Sequence, residues 1–295
     1  MPKTVVIIVS YNGLSHIKQC LEKSFTQLKD IDFMVIDNGS SDNTVEFIKK
    51  NYPTVRLIGN EKNMGFGAAN NIGLRYAIQN GYDYVYLLNQ DGWIYPSSLK
   101  ELIKKAETSN DFGIISPLQV FPDEKRLDTS FSHNIPKELK DDYILNFENK
   151  REIYNVKGRT IQAAHWLMPV PVLNKVGVFS PSFFQWGEDT NLCRRMEYHG
   201  FKLGIVPSIH GVHDRENRID PPYKKKLGQY ISLVNIISDP NKTGRQILKE
   251  IIVKIVNCGI NNPNWFFPLL WKFSISFPKL LSCRKETMKK AGAFL

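Results

Sequence analysis

The chain predicts an α/β fold built on a mostly parallel sheet flanked by helices, and three observations carry that expectation. Short β-branched apolar runs alternate with amphipathic stretches through the first hundred or so residues, the pattern of repeated βαβ units. The first run, Val5–Val9, is apolar at every position, as a strand buried on both faces requires. Polar residues gather just after each expected strand, where an open sheet of this kind places its ligands.

After Val5–Val9, the apolar residues Leu14, Ile17, Leu21, Phe25 and Leu28 recur at helical spacing and predict a helix. Ile31–Ile36 reads as the next strand. It ends in Asp37-Asn38-Gly39-Ser40-Ser41-Asp42, whose small polar side chains turn the chain and cap a helix over Thr44–Lys50. Val55–Ile58 is a third strand, Ala68–Gln79 a helix and Tyr84–Leu88 a fourth strand; Ser97–Glu107 is a helix entered through Pro96, a residue suited to a first helical turn. From Phe121 to Lys157 the pattern is polar and irregular, with Phe131, Phe147 and Tyr154 as isolated aromatics. That stretch reads either as a mobile insertion over a substrate or as a plain surface loop. Thr160–Met168 predicts a returning strand, Thr190–His199 a helix and Leu203–Val206 a short strand. Composition changes after Pro221-Pro222, so a boundary is expected between a main domain, 1–220, and a helical extension, 221–295.

A chain of 295 residues can hold one large α/β domain and an extra piece, and its ordinary composition excludes disorder, collagen and coiled coil. The charge is unevenly spread. Residues 221–295 carry 11 Lys and 2 Arg against Asp239, Glu250 and Glu286, an excess equal to the whole chain's net charge of +10. Such a tail attracts polyanions. The run Trp265-Phe266-Phe267-Pro268-Leu269-Leu270-Trp271-Lys272-Phe273 favours an anionic membrane surface over nucleic acid. The other reading of the same residues is a helical cap with a solvated basic face. The longest apolar stretch, near residues 264–281, is broken by Pro268, Lys272, Pro278 and Lys279, short of the roughly 20 apolar residues of a span. The N-terminal residues lack the pattern of a signal peptide, so the expected location is cytoplasmic, peripheral on the inner face of the cell membrane. Cys20, Cys193, Cys258 and Cys283 are far apart and read as reduced, mostly buried thiols.

The candidate chemistry sits at the strand ends. Ser10-Tyr11-Asn12 follows the first strand, Asp37 the second, Asn60 to Asn63 the third and Asn89-Gln90-Asp91 the fourth. Asp91 precedes Gly92 and projects from a strand end with room beside it. It reads either as a helix cap or as a ligand for Mn²⁺ or Mg²⁺, hard cations that share substrate phosphates and need only one or two protein groups. His213 suits Mn²⁺ as a further ligand, with His210 on the same loop as its competitor. Glu188-Asp189 follows Phe183-Phe184-Gln185-Trp186-Gly187, an acid pair against an aromatic wall. The pair either decorates a helix N-terminus, or supplies a base for a hydroxyl while Trp186 stacks on a sugar. The segment Asn63-Met64-Gly65-Phe66-Gly67 fits neither the dinucleotide nor the P-loop spacing, and the chain has no Gly-Lys-Ser/Thr. It reads as close backbone approach to a diphosphate-sugar or as tight helix packing.

Val9-Ser10-Tyr11-Asn12, Val35-Ile36-Asp37-Asn38-Gly39-Ser40-Ser41-Asp42, Asn63-Met64-Gly65-Phe66-Gly67, Asn89-Gln90-Asp91 and Gly187-Glu188-Asp189 together resemble a family 2 glycosyltransferase of the GT-A fold, closest to bacterial rhamnosyltransferase-like members. The resemblance covers residues 4 to about 215. It implies inverting transfer of a sugar from a nucleotide-diphosphate sugar by single displacement. It assigns Ser10, Tyr11, Asn12 and Asp37 to the nucleoside, and Asn63, with Gly65 and Gln90 nearby, to the donor. It assigns Asp91 and His213 to the metal, Asp189 with Glu188 second to the catalytic base, and Trp186 to the acceptor wall. Asn89 replaces the first acid of the family's Asp-x-Asp, and Asn191 stands where many relatives have an Asp. With the basic aromatic tail, the expected acceptor is a glycan on a polyprenyl diphosphate, in capsule, O-antigen or exopolysaccharide synthesis. The competing readings are a sugar nucleotidyltransferase and an inactive domain that binds glycan or lipid.

Overall fold

The computed structural model describes residues 1–144, 153–216, 221–289 and 291–295. Its first part follows the expected βαβ repeats: β1 (Thr4–Ser10), α1 (Leu14–Ser24), β2 (Ile31–Asp37), α2 (Thr44–Asn51), β3 (Arg56–Gly59), α3 (Phe66–Gln79) and β4 (Tyr84–Asn89). Helix α1 stops before Phe25, whose ring leaves the helical path to pack edge-on against Phe33 and Tyr52. Next come β5 (Gly92–Trp93), α4 (Pro96–Glu107), β6 (Phe112–Val120), α5 (Thr129–Asn134), α6 (Lys137–Ile144), β7 (Tyr154–Asn155), β8 (His165–Pro169) and α7 (Val170–Val176). The chain ends with α8 (Glu188–Tyr198), β9 (Lys202–His213), α9 (Lys224–Ser238), α10 (Gly244–Asn261) and α11 (Pro263–Thr287).

Among the described residues the strands form one sheet in the order β3-β2-β1-β4-β8-β6-β9-β5, with β7 on β9. The half from β3 to β4 is parallel, and so is the β6–β9 pair; β8 runs antiparallel between β4 and β6, so the sheet is mixed. The unbroken apolar runs have a simple cause. Val5, Ile7, Met34, Ile36, Val85 and Leu87 feed the core on one face, while Val6, Ile8, Phe33, Val35, Tyr86 and Leu88 feed the core on the other. In register, Ser10 pairs with Asp37 and Val9 with Asn89, which lines up the polar strand ends along one rim.

Three differences from the sequence expectation bear on the site. Strand β6 was not anticipated although every residue in it is buried. Gly113 and Pro117 interrupt its β-branched character, and the pairing with β9 shifts register beside Pro117, the position where a strand tolerates a residue without N–H. Strand β9 continues past Val206 to His213, so His210 and His213 belong to a strand rather than a loop. The described residues of the stretch after Phe121 hold regular structure: α5 and α6 lie in it, Phe131 is fully buried, and Tyr154 packs against the core. Phe147 lies outside the described residues.

Helices α9 to α11 share an apolar core of Leu233, Val234, Ile237, Ile247, Ile251, Leu269, Phe273 and Leu280, joined by Phe183 from the segment before α8. Polar contacts tie them to α8: Asn191 Nδ2 donates to Ser238 Oγ (3.2 Å), Arg194 donates to the Asn235 carbonyl (2.9 Å) and pairs with Asp239 (3.4 Å). The four cysteines are free and buried, as expected. No helix among the described residues is long and apolar enough to cross a membrane.

Candidate functional site

The rim of the sheet opens into a cleft of about 600 Å³ lined by Tyr11, Asn12, Asn63, Gly65, Gln90 and Asp91, among others. Ser10 and Asp37 are buried behind this lining. The Asp37 carboxylate organises the turn: Oδ1 accepts from Ser10 Oγ (3.1 Å) and Ser40 Oγ (2.5 Å), and Oδ2 accepts from the backbone of Gly39 (3.2 Å) and Ser40 (2.9 Å). Asn12, held at φ 44°, accepts on Oδ1 from the Ser41 N–H at 2.8 Å, so the loops after β1 and β2 are cross-braced. Gln90 braces a third. Its Oε1 accepts from the Tyr11 N–H (2.9 Å) and its Nε2 donates to the Tyr11 carbonyl (3.3 Å).

Asn38 and Asn63 form the floor. Asn38 Nδ2 donates to Asn63 Oδ1 (2.9 Å), which also accepts from the Gly65 N–H (2.8 Å), while Asn38 Oδ1 accepts from Met64 N–H (3.0 Å). Gly65 has φ 85°, and a Cβ there would sit 2.1 Å from the Phe184 carbonyl oxygen, so only glycine fits this crossing of two loops.

A second pocket, about 320 Å³, is lined by Trp186, Glu188, Asp189 and His213; it shares Phe66, Asn89, Gln185 and Arg215 with the first. Glu188 and Asp189 are the first two residues of α8, entered through Gly187 at φ 90°. A Cβ on Gly187 would press on Asn235 and Ile231 of α9. Buried Arg195 anchors the same helix by donating to the carbonyls of Val178 (2.6 Å) and Val176. Burial raises the pKa of both acids, and the nearby Asp189 charge raises that of Glu188 further; Glu188 Oε2 is buried with no hydrogen-bond partner among the described residues. Asp189 Oδ1 accepts from the Thr190 N–H at 2.7 Å, which leaves Oδ2 for other work. The Trp186 ring lies 6.4 Å from Tyr223 and 5.5 Å from Lys224 Nζ, so the start of the helical extension closes this pocket.

Asp91 lines the larger cleft and His213 the smaller, and they meet across the seam with Asp91 Oδ1 3.4 Å from His213 Nε2. On the far side of the ring, Nδ1 lies 3.4 Å from Asp128 Oδ2. Burial alone would lower the His213 pKa; the two carboxylates outweigh it and hold the pKa above the ordinary imidazole value. Asp128 also caps α5, its Oδ1 accepting from the Phe131 N–H at 2.7 Å. No group of three or more His, Cys, Asp and Glu gathers as a metal cage among the described residues. Two ligands facing one point nevertheless fit a cation that fills its remaining positions with diphosphate and water oxygens. Asn89 Oδ1, buried without a partner among the described residues, adds a neutral oxygen beside them.

Every site residue read from the sequence therefore lies in or directly behind these two adjoining spaces. Three that matter were not singled out: Asn38, Asp128 and Arg215. Asn38 stood in a quoted motif, but its contacts join loops 22 to 27 residues apart. Asp128 sat in a stretch read as irregular, and its only local signal was a cap three residues before Phe131. Arg215 had no motif; its Nε lies 3.8 Å from Asp128 Oδ2 and its side chain borders both spaces.

Comparisons with known proteins agree with this architecture. Residues 5–176 match the family model described as glycosyl transferase family 2. The rhamnosyltransferase WbbL of Escherichia coli is 26% identical over 258 residues, covering 80% of this chain and 95% of its own length. An N-acetylglucosaminyl-diphospho-decaprenol L-rhamnosyltransferase of Mycobacterium tuberculosis is 24% identical over 234 residues, 71% of this chain and 75% of its own. A shorter match, 36% identical over 118 residues, spans about half, 51%, of an uncharacterised protein of Methanocaldococcus jannaschii. Among solved structures, S. aureus TarS 1-349 in complex with UDP-GlcNAc superposes with a TM-score of 0.61 at 13% identity, covering 97% of this chain and 83% of that one. The mannosyltransferase PcManGT of Pyrobaculum calidifontis, in complex with GDP-Man and Mn²⁺, gives 0.56 at 14% identity over 94% and 75%. The family match, over more than half of the chain, and the mixed α/β sheet lead to one conclusion: this chain belongs to glycosyl transferase family 2 and has the GT-A fold.

Proposed function

We propose that the protein is a metal-dependent, inverting glycosyltransferase that moves a sugar from a nucleoside-diphosphate donor to a hydroxyl of a glycan acceptor. One observation carries the reading: Asp91 and His213 face each other at 3.4 Å where the larger cleft joins the pocket that holds the Glu188-Asp189 pair. A charge-neutralising centre between a donor space and a basic carboxylate is the arrangement that displacement at an anomeric carbon needs.

In this reading Tyr11 and Asn12, held by Ser10, Asp37 and Gln90, seat the nucleoside, and Asn63 and Gly65 lie beneath the donor. Asp91 and His213 would hold Mn²⁺ or Mg²⁺, which supplies Lewis-acid neutralisation of the charge on the departing diphosphate. Trp186 offers a face for the acceptor sugar to stack on. The acceptor oxygen attacks the anomeric carbon as Asp189 takes its proton. The bond from that carbon to the diphosphate oxygen breaks, and its electron pair leaves on the nucleoside diphosphate. Attack from the face opposite the leaving group inverts the anomeric centre. Glu188 is the second candidate for the base.

The finer reading is a rhamnosyltransferase-like enzyme that extends a glycan on a polyprenyl diphosphate, working at the inner face of the cell membrane in surface polysaccharide synthesis. The likeness to two rhamnosyltransferases, one named for a diphospho-decaprenol acceptor, supports it.

The test incubates purified protein and Mn²⁺ with a panel of UDP-, dTDP- and GDP-sugars and reads released nucleoside diphosphate. Consumption of one donor by wild type, lost in Asp91→Ala, in Asp189→Ala and on chelation, supports the reading. Binding of no donor with metal present would sink it.

A further inference from the structure

We propose that the outer face of the α10–α11 hairpin is a docking surface for an anionic phospholipid bilayer. The two helices are joined through Asn262 alone. Their inner faces are spent on the core shared with α9, through Ile247, Ile251, Leu269, Phe273 and Leu280. Each helix nevertheless carries a second apolar stripe that no described residue covers. On α10, Leu248, Ile252, Val256 and Ile260 recur every four residues and are 51–72% exposed. On α11, Phe267, Trp271 and Ile275 do the same at 77%, 72% and 64%. Single exposed hydrophobics are ordinary; seven in two periodic rows that converge on one helical joint are a built surface.

Charge selects the occupant. Arg245, Lys249, Lys254, Lys272 and Lys279 lie on the same two helices, and no carboxylate among the described residues is within ion-pair distance of any of them. The acids of the extension are already engaged: Asp239 with Arg194, Glu250 with Lys242, and Glu286 with Lys289. A second copy of the chain would bring the same cations face to face. A bilayer that contains anionic lipid offers both what the stripes need and what the cations need. Lysines and Pro268 and Pro278 within α11 keep the hairpin in the interface plane rather than across it. Because α9 packs on α8 and its start touches Trp186, such docking would also set the pocket beside Asp189 at a constant height above the lipid.

The inference deepens the membrane placement in the finer reading but uses no part of the sugar-transfer chemistry, so loss of vesicle binding and loss of donor turnover are separate outcomes. The full chain is floated with vesicles of phosphatidylcholine and with vesicles of phosphatidylcholine mixed with phosphatidylglycerol. Wild type is expected to float with the mixed vesicles and to be released by high salt in part. The triple variant Phe267→Ser, Trp271→Ser, Ile275→Ser is expected to bind at least about tenfold more weakly, since each side chain forfeits apolar burial. Its melting temperature is expected to stay at the wild-type value because the residues are exposed. A second variant, Lys249→Glu, Lys254→Glu, Lys279→Glu, is expected to lose binding to the mixed vesicles while leaving the apolar rows intact. Failure of wild type to float with the mixed vesicles overturns the proposal, as does unchanged binding by the triple variant. A concentration-dependent dimer without lipid, abolished by the triple variant, would overturn it in favour of a second copy.

Discussion

His213 is held between two carboxylates, with Asp91 Oδ1 3.4 Å from one ring nitrogen and Asp128 Oδ2 3.4 Å from the other. Both His213 Nδ1 and Asp128 Oδ2 are buried, and the nearest charged neighbour of that oxygen besides His213 is Arg215 Nε at 3.8 Å. A carboxylate behind a metal-binding imidazole sets its tautomer and raises its basicity. Asp128→Asn keeps an N-cap side chain for α5 but removes the charge. Mn²⁺ affinity, measured by electron paramagnetic resonance with nucleoside diphosphate present, is expected to fall by about 10- to 100-fold. The stability change should stay within about 1 kcal/mol. Unchanged affinity would reduce Asp128 to a helix cap.

Asp189 and Glu188 are expected to separate by role. Asp189→Asn is expected to lower kcat by about 10²- to 10⁴-fold with donor affinity retained, whereas Glu188→Gln should act mainly on stability. Burial pushes the Glu188 pKa up to about 8, so folding at pH 7 must protonate a carboxylate that is ionised in the unfolded chain; Glu188→Gln removes that cost and is expected to be neutral or stabilising in a thermal melt. A larger kcat loss in Glu188→Gln than in Asp189→Asn would exchange the two assignments.

The pH profile follows from the raised pKa of the pair. A base must be deprotonated to work, so activity is lost as pH falls through the folded-state pKa, and burial has moved that pKa upward. The acid limb of kcat is therefore expected above the ordinary carboxylate range near 4. An acid limb at or below pH 4 would contradict the buried-base reading.

The pair of hydrogen bonds between Gln90 and Tyr11 joins the loops after β4 and β1. Gln90→Ala loses both, each worth about 0.5–1.5 kcal/mol. Donor Kd, read by isothermal titration, is expected to rise about tenfold while kcat at saturation changes little. A kcat loss with unchanged Kd would place Gln90 in the chemistry instead.

Gly65→Ala tests the floor of the donor cleft. Gly65, at φ 85° and ψ 163°, occupies a backbone region essentially reserved for glycine, which costs about 1–3 kcal/mol for a residue with Cβ. The close Phe184 oxygen adds to that cost, because the clashing atom is backbone. The expected result is a melting temperature several degrees lower and weakened donor binding; an unchanged melt would mean that the two loops part freely.

The order of β1 to β4 and their helices was legible because each strand buries both faces, so its residues had to be apolar and β-branched whatever their neighbours. The polar residues at those strand ends were legible for the same reason, since a parallel register carries each strand's end to one rim. Strand β6 was hidden because Gly113 and Pro117 break the pattern that a period-based reading follows, while its burial depends on β8 and β9 lying on either side. Phe131 looked isolated for the same reason: the core cluster it joins gathers most of its residues from distant segments.

By itself, the sequence determined which side chains could do chemistry: an acid after β4, an acid pair opening a helix, a late histidine, and the family motifs that tie them together. Only the tertiary structure decided that Asp91 and His213 meet across 122 residues, that Asp128 backs the histidine, and that Arg215 borders both spaces. The physical reason is range. Burial of a strand or the capping of a helix is enforced by residues a few positions apart and leaves its mark there. A site between β4, β9 and α5 is enforced by sheet order and by packing of buried side chains, and neither leaves a periodic trace along the chain.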